Sequence, residues 1–280
     1  QKLESILGLP IRSGKTLLFF DEIQNCPRAL MSLRYFKEKM EDLHVIGAGS
    51  LLEFAIEEEH FSFPVGRVQF MYLKPLSLKE FLMANNQQRL VEAIESATLL
   101  HPLDPVLHNF MIQQAKSYFL VGGMPKCIQT YIKESSYLEC QYIQDAILTT
   151  YQSDFGKYSR KSQYKYLQLL FDRAPRLIGE NFKYSKIEQN VRSRDLKIAL
   201  EQLCLAGLIH RVHATSASGI PLHAELKETK FKLIFLDIGL LQGGWKIDPI
   251  AFFQSDFLQV NAGALAEQFV GQELLAYGDV

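Results

Sequence analysis

Two adjacent carboxylates, Asp21 and Glu22, follow a run of four apolar residues, Leu17–Phe20. A short and wholly apolar run of this kind is typical of a strand that is buried on both faces of a parallel sheet. Ligands of open α/β sheets bind at the carboxyl ends of such strands, so both acids would stand at a binding edge. The first acid could hold Mg²⁺, usually through water, and the second could polarise a water molecule that attacks a phosphate. The pattern indicates ATP hydrolysis, although two acids in this position can also merely cap the next helix.

A serine at the end of the next predicted strand could read the same phosphate. Residues 44–48 (HVIGA) form a second short strand pattern, which ends in Gly47, Gly49 and Ser50. P-loop ATPases place a small polar sensor of the γ-phosphate at the tip of the strand next to their Walker B strand, so Ser50 is a candidate catalytic residue. Ser50 is also suited to be the N-cap of a predicted helix over residues 51–59, and the two roles can coexist.

The sequence Ser13-Gly14-Lys15-Thr16 ends like the phosphate-binding Walker A motif, G-x-x-x-x-G-K-[ST], but it does not fit that role. The first glycine of the motif belongs at position 9, which is Leu9, and Gly8 is one residue out of register. A phosphate-binding loop must also follow a strand and open a helix, so that its amides point at phosphate. Here the motif runs directly into the apolar strand pattern, and we expect only a turn before Leu17.

Composition and charge limit the classes of protein that this chain can represent. With 280 residues, 48% of them apolar and 22% charged, it has ordinary globular composition and room for more than one domain. The formal net charge of −1 provides no overall attraction to nucleic acid or an anionic membrane, so any basic surface must be local. Because the chain lacks an initiator Met, we expect it to be a segment of a longer protein.

Cysteine and histidine spacing gives no sign of a metal site. The four cysteines form no C-x-x-C pair, and the seven histidines form no ligand pair at i, i+4 spacing. We therefore expect small core thiols in a reducing compartment. No apolar run approaches the ~18 residues of a membrane span, and no signal-peptide pattern opens the chain. These features predict a cytoplasmic protein with no membrane partner.

Strand and helix patterns alternate in the first third of the chain, which predicts a parallel α/β sheet. Between the first two strands, Ala29, Leu33, Phe36 and Met40 recur at helical spacing. Residues 69–73 (QFMYL) resemble a third strand. A capping box, Ser77-Leu78-Lys79-Glu80, then predicts a helix that runs to about residue 83.

Helical patterns replace the strand signal after about residue 85. Residues 90–100, 105–118 and 126–150 are predicted helices, and Gly122-Gly123-Met124-Pro125 interrupts the series. This part of the chain is interpreted as a small helical module. A basic stretch over residues 157–165 is interpreted as the connector to the next unit.

A winged-helix pattern follows the connector. Three predicted helices, from residue 166, around residues 184–189 and over residues 195–206, precede two strands that are joined by a Ser/Gly/Pro-rich loop. Over residues 183–211, six basic residues stand against three acidic ones, and Arg192, Arg194 and Lys197 could contact DNA phosphates from the third helix. Winged helices also serve as protein-binding or packing modules, so a protein partner is the alternative.

Several motifs together resemble bacterial and archaeal AAA-type ATPases with a C-terminal restriction-endonuclease-like domain of unknown function (DUF4143-type). They occur in that family's order over essentially the whole chain. The matching segments are residues 18–27 (LFFDEIQNCP), 49–53 (GSLLE), 63–68 (FPVGRV), 75–82 (PLSLKEFL), 122–125 (GGMP), 235–241 (FLDIGLL) and 263–267 (GALAE).

This resemblance implies an ATPase that uses ATP and Mg²⁺, over residues 1–85, with a helical lid over residues 86–160. It further implies a winged helix over residues 161–237 and the start of a nuclease-like α/β domain over residues 238–280. The family's Walker A loop would precede Gln1, and the nuclease acid and E-x-K would follow Val280. Glu267 is then the only nuclease candidate present, and an ordinary surface glutamate is at least as good an interpretation.

Arg67 is the remaining candidate of the predicted ATPase site. It follows Gly66 in the loop before the predicted third strand. In ATPases of this class, an arginine that reaches the γ-phosphate stabilises transition-state charge, in the same chain or from a neighbouring subunit of a homo-oligomer. The alternative is a structural arginine that pairs with a carboxylate.

Two hypotheses therefore stand. In the first, an AAA-type protein hydrolyses ATP and couples its nucleotide state to a winged helix and a C-terminal domain. In the second, a degenerate ATPase core is the scaffold of a non-catalytic module that binds DNA or protein.

Overall fold

The computed structural model of the protein describes residues 2–50, 66–158, 161–216, 218–219, 225–254 and 262–278. The chain forms two compact units, Gln1–Tyr72 and Leu73–Val280. The division falls at Tyr72, and the four domains predicted from the sequence stay a prediction. Within the described ranges, no helix is both long and apolar enough to cross a lipid bilayer.

The first unit holds a small parallel sheet with a helix on one face. Its elements are α1 (Lys2–Leu7), β1 (Leu17–Phe20), a 3₁₀ turn (Ile23–Asn25), α2 (Pro27–Lys39) and β2 (His44–Gly47). β1 and β2 pair in parallel, and the register sets Leu17 opposite His44 and Phe20 opposite Gly47. The two strands and the helix between them confirm the predicted α/β pattern, since parallel neighbours need such a crossover.

Only one face of β1 and β2 is covered. Leu18 is buried on the α2 side, where the rings of Phe20 and Phe36 lie 5.9 Å apart. On the opposite face, Leu17 and Phe19 are 54% and 58% exposed. The prediction that β1 is buried on both faces is therefore wrong for the described residues. Successive strand residues point to opposite sides, and α2 covers one of them.

The predicted third strand is not formed, because residues 69–73 have no ladder partner among the described residues. Met71 and Leu73 are largely exposed, so this segment is not buried although its residues are mostly apolar. The predicted helix over residues 51–59 lies outside the described residues.

The second unit is mostly helical. Its helices are α3 (Leu78–Ala84), α4 (Gln88–Ser96), α5 (Pro105–Val121), α6 (Pro125–Glu134), α7 (Tyr137–Tyr158), α8 (Lys161–Arg173), α9 (Tyr184–Ile187), α10 (Ser193–Leu205), α11 (Ile238–Trp245), α12 (Pro249–Gln254) and α13 (Ala262–Tyr277). The predicted capping box is present at α3, where the Ser77 and Glu80 side chains each bond the other's backbone amide. The single helix predicted over residues 126–150 is instead two helices, because Ser135 adopts a left-handed conformation with φ of 51°.

A two-stranded antiparallel ribbon follows α8, α9 and α10. It consists of β3 (Ile209–Thr215) and β4 (Leu226–Phe235), and Ile209 lies opposite Phe235. Gly207 follows α10 with φ of +68°, the left-handed conformation in which a glycine commonly ends a helix. Three helices and a ribbon occur in the order predicted for a winged helix, whose assignment stays a prediction.

One apolar core joins the parts of the second unit. Phe81 and Tyr118 pack in it with Leu200 of α10, Phe235 of the ribbon and Leu241 of α11. The predicted lid, winged helix and C-terminal segment therefore share buried side chains. The interpretation of residues 238–280 as the start of a nuclease-like domain stays a prediction.

Candidate functional site

The hydrogen-bond ladder between β1 and β2 changes at the two acids. The amide of Ala48 donates to the carbonyl oxygen of Phe20 at 2.8 Å, which continues the parallel register and sets Asp21 opposite Ala48. In a regular parallel ladder, the Glu22 amide would donate the next hydrogen bond, to the carbonyl oxygen of Ala48. The Ala48 carbonyl oxygen instead accepts from Ile23, at 3.0 Å. Glu22 is thereby excluded from the ladder and lies at the carboxyl edge of the sheet with Asp21.

Glu22 adopts an unusual backbone conformation that accounts for this exclusion. Its φ and ψ are 48° and 44°, in the left-handed region that residues other than glycine, asparagine and aspartate rarely occupy. Its amide, released from the ladder, donates to Oδ1 of Asp21 at 3.1 Å. Strained residues of this kind cluster at functional sites. Both acids are exposed, so a ligand can reach them.

Ile23, the residue after the two acids, is packed over the end of β2. Its side chain is 2% exposed and covers Gly47 at the end of β2. A Cβ atom at position 47 would lie 2.9 Å from Ile23 Cδ1, a contact that is too close without movement. The absence of a side chain at Gly47 therefore lets Ile23 pack over the strand end, directly after the two acids.

Ser50 follows β2 and is exposed. It lies two residues beyond Ala48, whose amide and carbonyl group bond the segment that carries Asp21 and Glu22. The structure thus places Ala48, two residues before Ser50, beside the segment that carries the two acids. The γ-phosphate role of Ser50 stays a prediction, and its predicted helix lies outside the described residues.

Arg67 forms an ion pair with Glu38 of α2. Its Nε lies 2.8 Å from Oε1 of Glu38, which also accepts from Nε of Arg34 at 2.8 Å. The hydrogen bond from Arg34, supported by both positive charges, holds the pKa of Glu38 below its usual value. The structure thus shows the carboxylate pairing that was the alternative interpretation of Arg67, and its phosphate role stays a prediction.

The segment that resembles the end of a Walker A motif is a turn, as predicted. Gly14 has φ of +71°, and its amide donates to the carbonyl oxygen of Asp42 at 2.7 Å. The amides of Lys15 and Thr16 both donate to the carbonyl oxygen of Arg12. Three amides that a phosphate loop would direct at its ligand are therefore bonded within the protein.

The exposed carboxylate of Asp21 is compatible with Mg²⁺, which does not require the protein to supply all of its ligands. The described residues contain no group of three or more His, Cys, Asp or Glu side chains placed to hold a metal ion. Mg²⁺ is commonly held by one or two carboxylates, with waters and substrate phosphates completing its octahedron. The exposed carboxylate of Asp21 fits that requirement, and its Mg²⁺ role stays a prediction.

The predicted DNA-contact residues lie at the start of α10. Arg192 and Arg194 are exposed and form no ion pair with the described residues, whereas Lys197 lies 3.9 Å from Glu201. Arg192 also borders a cavity of about 570 Å³ between α8 and α10, with Lys165 and Asp195. The two arginines are therefore available to a ligand.

Glu267, the nuclease candidate, lies on α13 and forms an ion pair across to β4. Its two carboxylate oxygens accept from Nζ of Lys232 at 2.6 and 2.7 Å. This arrangement agrees with the alternative interpretation of Glu267 as a surface helix residue.

Two polar residues of the structure, Gln24 and Asp237, are not singled out by any sequence motif. The Nε2 atom of Gln24 donates to Oε2 of Glu22 at 2.5 Å. In the sequence, only the position of Gln24 two residues after Glu22 could have indicated this contact. Asp237 is fully buried at the N-terminus of α11, where it accepts from the Gly123 amide at 2.6 Å and from the Leu240 amide at 3.0 Å. No sequence pattern distinguishes it from an ordinary exposed N-cap.

Comparison with known families matches two parts of the chain. Residues 1–82 match the family described as "AAA domain". Residues 112–249 match a "Domain of unknown function (DUF8612)", which is a different domain from the one that the sequence motifs resemble. No curated protein and no solved structure matches the chain significantly. The first part, which carries Asp21, Glu22, Ser50 and Arg67, is thus similar to the AAA domains of P-loop ATPases.

Proposed function

We propose that the protein hydrolyses ATP at the carboxyl edge of β1 and β2. The observation that carries the proposal is the exclusion of Glu22 from the parallel ladder, next to Asp21 and opposite Ala48. Ligands of open parallel sheets bind at this edge. The similarity of residues 1–82 to AAA domains supports the same reaction.

Each acid has a separate role in this proposal. Glu22 accepts a hydrogen bond from the water that attacks the γ-phosphate and so orients it for in-line attack. Asp21 would hold Mg²⁺ through water, and Mg²⁺, when bound, would offset negative charge on the phosphates. Because Oδ1 of Asp21 accepts from the Glu22 amide, the Asp21 carboxylate is held against the backbone of Glu22. Ser50 contacts the γ-phosphate from the next strand.

Arg67 would act by exchanging one anion for another. A guanidinium group binds carboxylate and phosphate with the same fork of donors, so the γ-phosphate can replace Glu38 as its partner. Glu38 retains Arg34 as a partner when Arg67 leaves, so the carboxylate is not left unpaired. The phosphate that Arg67 reaches belongs to the same chain or to a neighbouring subunit.

The second unit would transmit the nucleotide state to a partner. In this proposal its winged helix and C-terminal segment rearrange against DNA or another protein. A non-catalytic DNA-binding module is the second candidate function, favoured by the two exposed arginines, Arg192 and Arg194, at the start of α10. The salt dependence of any DNA binding would identify phosphate contacts.

An ATPase assay of the full-length protein tests the proposal. Phosphate release is measured with and without duplex DNA, for the natural protein and for Glu22→Gln. A fall of at least about 100-fold in the turnover of Glu22→Gln supports hydrolysis at this site. Equal phosphate release by both proteins would exclude Glu22 from the reaction, and DNA binding without any turnover would favour the second candidate.

A further inference from the structure

The side chain of Gln24 contacts the carboxylate that the proposed reaction uses. Its Nε2 atom donates to Oε2 of Glu22 at 2.5 Å. Gln24 lies in the 3₁₀ turn Ile23–Asn25, immediately after the strained Glu22 backbone. The bond leaves the second carboxylate oxygen, Oε1, available to another donor.

The direction of the Gln24 amide is fixed by chemistry. An ionised carboxylate only accepts hydrogen bonds, so the NH₂ group must face Glu22 and the carbonyl oxygen must face away. That oxygen is buried, and no donor among the described residues reaches it. A buried acceptor without a partner costs free energy and calls for an explanation in a native structure. The orientation of Gln24 satisfies Glu22 and leaves its own oxygen without a partner.

The backbone around the two side chains allows little movement. The Asn25 amide donates to the Glu22 carbonyl oxygen at 3.0 Å, and the Cys26 amide donates to that of Ile23 at 3.0 Å. Ile23 itself is buried and bonded to Ala48. Since the backbone is fixed on both sides, the bond from Gln24 restricts the remaining freedom, which is the rotation of the Glu22 side chain.

We infer that Gln24 is a positioning residue for ATP hydrolysis. It holds Oε2 of Glu22 and thereby presents Oε1 to the attacking water. This inference rests on the proposed function and adds to it a residue that acts only through Glu22. An exposed glutamate without such a partner would spend much of its time in other rotamers, and fewer encounters would place water in line with the γ-phosphate.

Three single variants of the full-length protein test the inference. Gln24→Ala removes the amide donor, and Gln24→Glu keeps the shape of the side chain but presents carboxylate oxygens to Glu22. Both should lower kcat by about 10-fold to 100-fold, the range typical of residues that orient a functional group, with the Kd for ATP within twofold of the natural protein. Asn25→Ala is the matched control, because it removes an exposed amide side chain from the same turn. It should leave kcat unchanged.

A double variant separates positioning from a general structural effect. If Gln24 acts through Glu22, Glu22→Gln/Gln24→Ala should be no slower than Glu22→Gln alone, because the function of the bond is already lost. Multiplicative losses would overturn the inference, and so would a kcat of Gln24→Ala equal to that of the natural protein while Glu22→Gln is at least about 100-fold slower. Loss of ATP affinity in Gln24→Ala would also count against it. Equal turnover in the natural protein and Glu22→Gln would instead refute the proposed function itself.

Discussion

The amide of Ile23 donates to the carbonyl oxygen of Ala48, one residue later than the register of β1 and β2 would require. This single displacement removes Glu22 from the ladder and places it beside Asp21 at the edge of the sheet. The bond also anchors the turn that carries Gln24. The candidate site is thus formed by the way in which β1 ends.

Asp237 should be essential for the stability of the second unit. Its Oδ2 accepts from the Gly123 amide and from Nε2 of Gln272, and its Oδ1 accepts from the Leu240 amide. Asp237→Asn replaces one accepting oxygen by a donor group, so at least one buried donor loses its partner. We expect a loss of about 2–4 kcal/mol in the free energy of unfolding by urea.

Asp248→Asn is the matched control for that substitution. Asp248 is exposed and accepts from the Ile250 amide at 3.1 Å, at the start of α12. Asparagine caps helices as well as aspartate does, so this change should cost less than about 0.5 kcal/mol. Equal losses in the two variants would contradict the importance assigned to the buried position.

His210 should make the stability of the protein depend on pH. Burial, and secondarily the positive charge of Lys74, lower the pKa of His210 to about 4 from 6.5. The unfolded chain binds a proton below pH 6.5 and the folded protein does not, so the stabilisation is present above pH 6.5 and is lost as the pH falls toward 4. The loss between pH 7.5 and pH 5 should be about 2 kcal/mol.

Urea unfolding at several pH values measures this dependence. His210→Gln should weaken it, because the substituted side chain does not titrate. A natural protein whose stability is constant from pH 7.5 to pH 5 would show that His210 is protonated alike in both states.

The sequence predicted the parts of the structure that depend on local pattern. Apolar runs located β1 and β2, helical spacing located α2, and Ser77 with Glu80 fixed the start of α3. Burial of both faces of β1 and a strand over residues 69–73 were predicted wrongly, because burial and pairing depend on which other segments reach these residues. Apolar sequence alone does not supply a partner.

The candidate site was predictable in its acids and not in their support. Asp21 and Glu22 were found from the strand that precedes them. The left-handed conformation of Glu22 could not be foreseen, since glutamate has no preference for it and the anchored Ile23 imposes it. The pairing of Arg67 with Glu38 joins residues 29 positions apart in the sequence, and only the fold shows which carboxylate is near.

Arg67→Ala should lower ATP turnover in the full-length protein by about 10³-fold if the arginine stabilises transition-state charge, while nucleotide binding persists. Arg34→Ala is the matched control, because Arg34 binds the same oxygen of Glu38 and has no proposed phosphate role. Steady-state kinetics with a nucleotide-binding assay separates the two effects. If both variants retain natural turnover, Arg67 is only the structural partner of Glu38.

Arg192 and Arg194 should contribute to DNA binding if α10 contacts phosphates. The double substitution to alanine should weaken binding to duplexes of any sequence and lower the salt slope of log K by about 1.8, since each lost phosphate contact contributes about 0.9. Lys197→Ala provides a comparison, because Glu201 lies 3.9 Å from its Nζ and competes with phosphate. Fluorescence anisotropy over a range of salt concentrations measures both slopes. An unchanged slope would remove α10 from the DNA interface.

The most direct test of the central claim is single-turnover hydrolysis of prebound ATP by the full-length protein with Mg²⁺. The natural protein should convert bound ATP to ADP, and Glu22→Gln should bind ATP with similar affinity but convert it at least about 100-fold more slowly, the contribution expected of a residue that activates water. Conversion of bound ATP by Glu22→Gln at the natural rate would contradict the assignment of hydrolysis to the edge of β1 and β2.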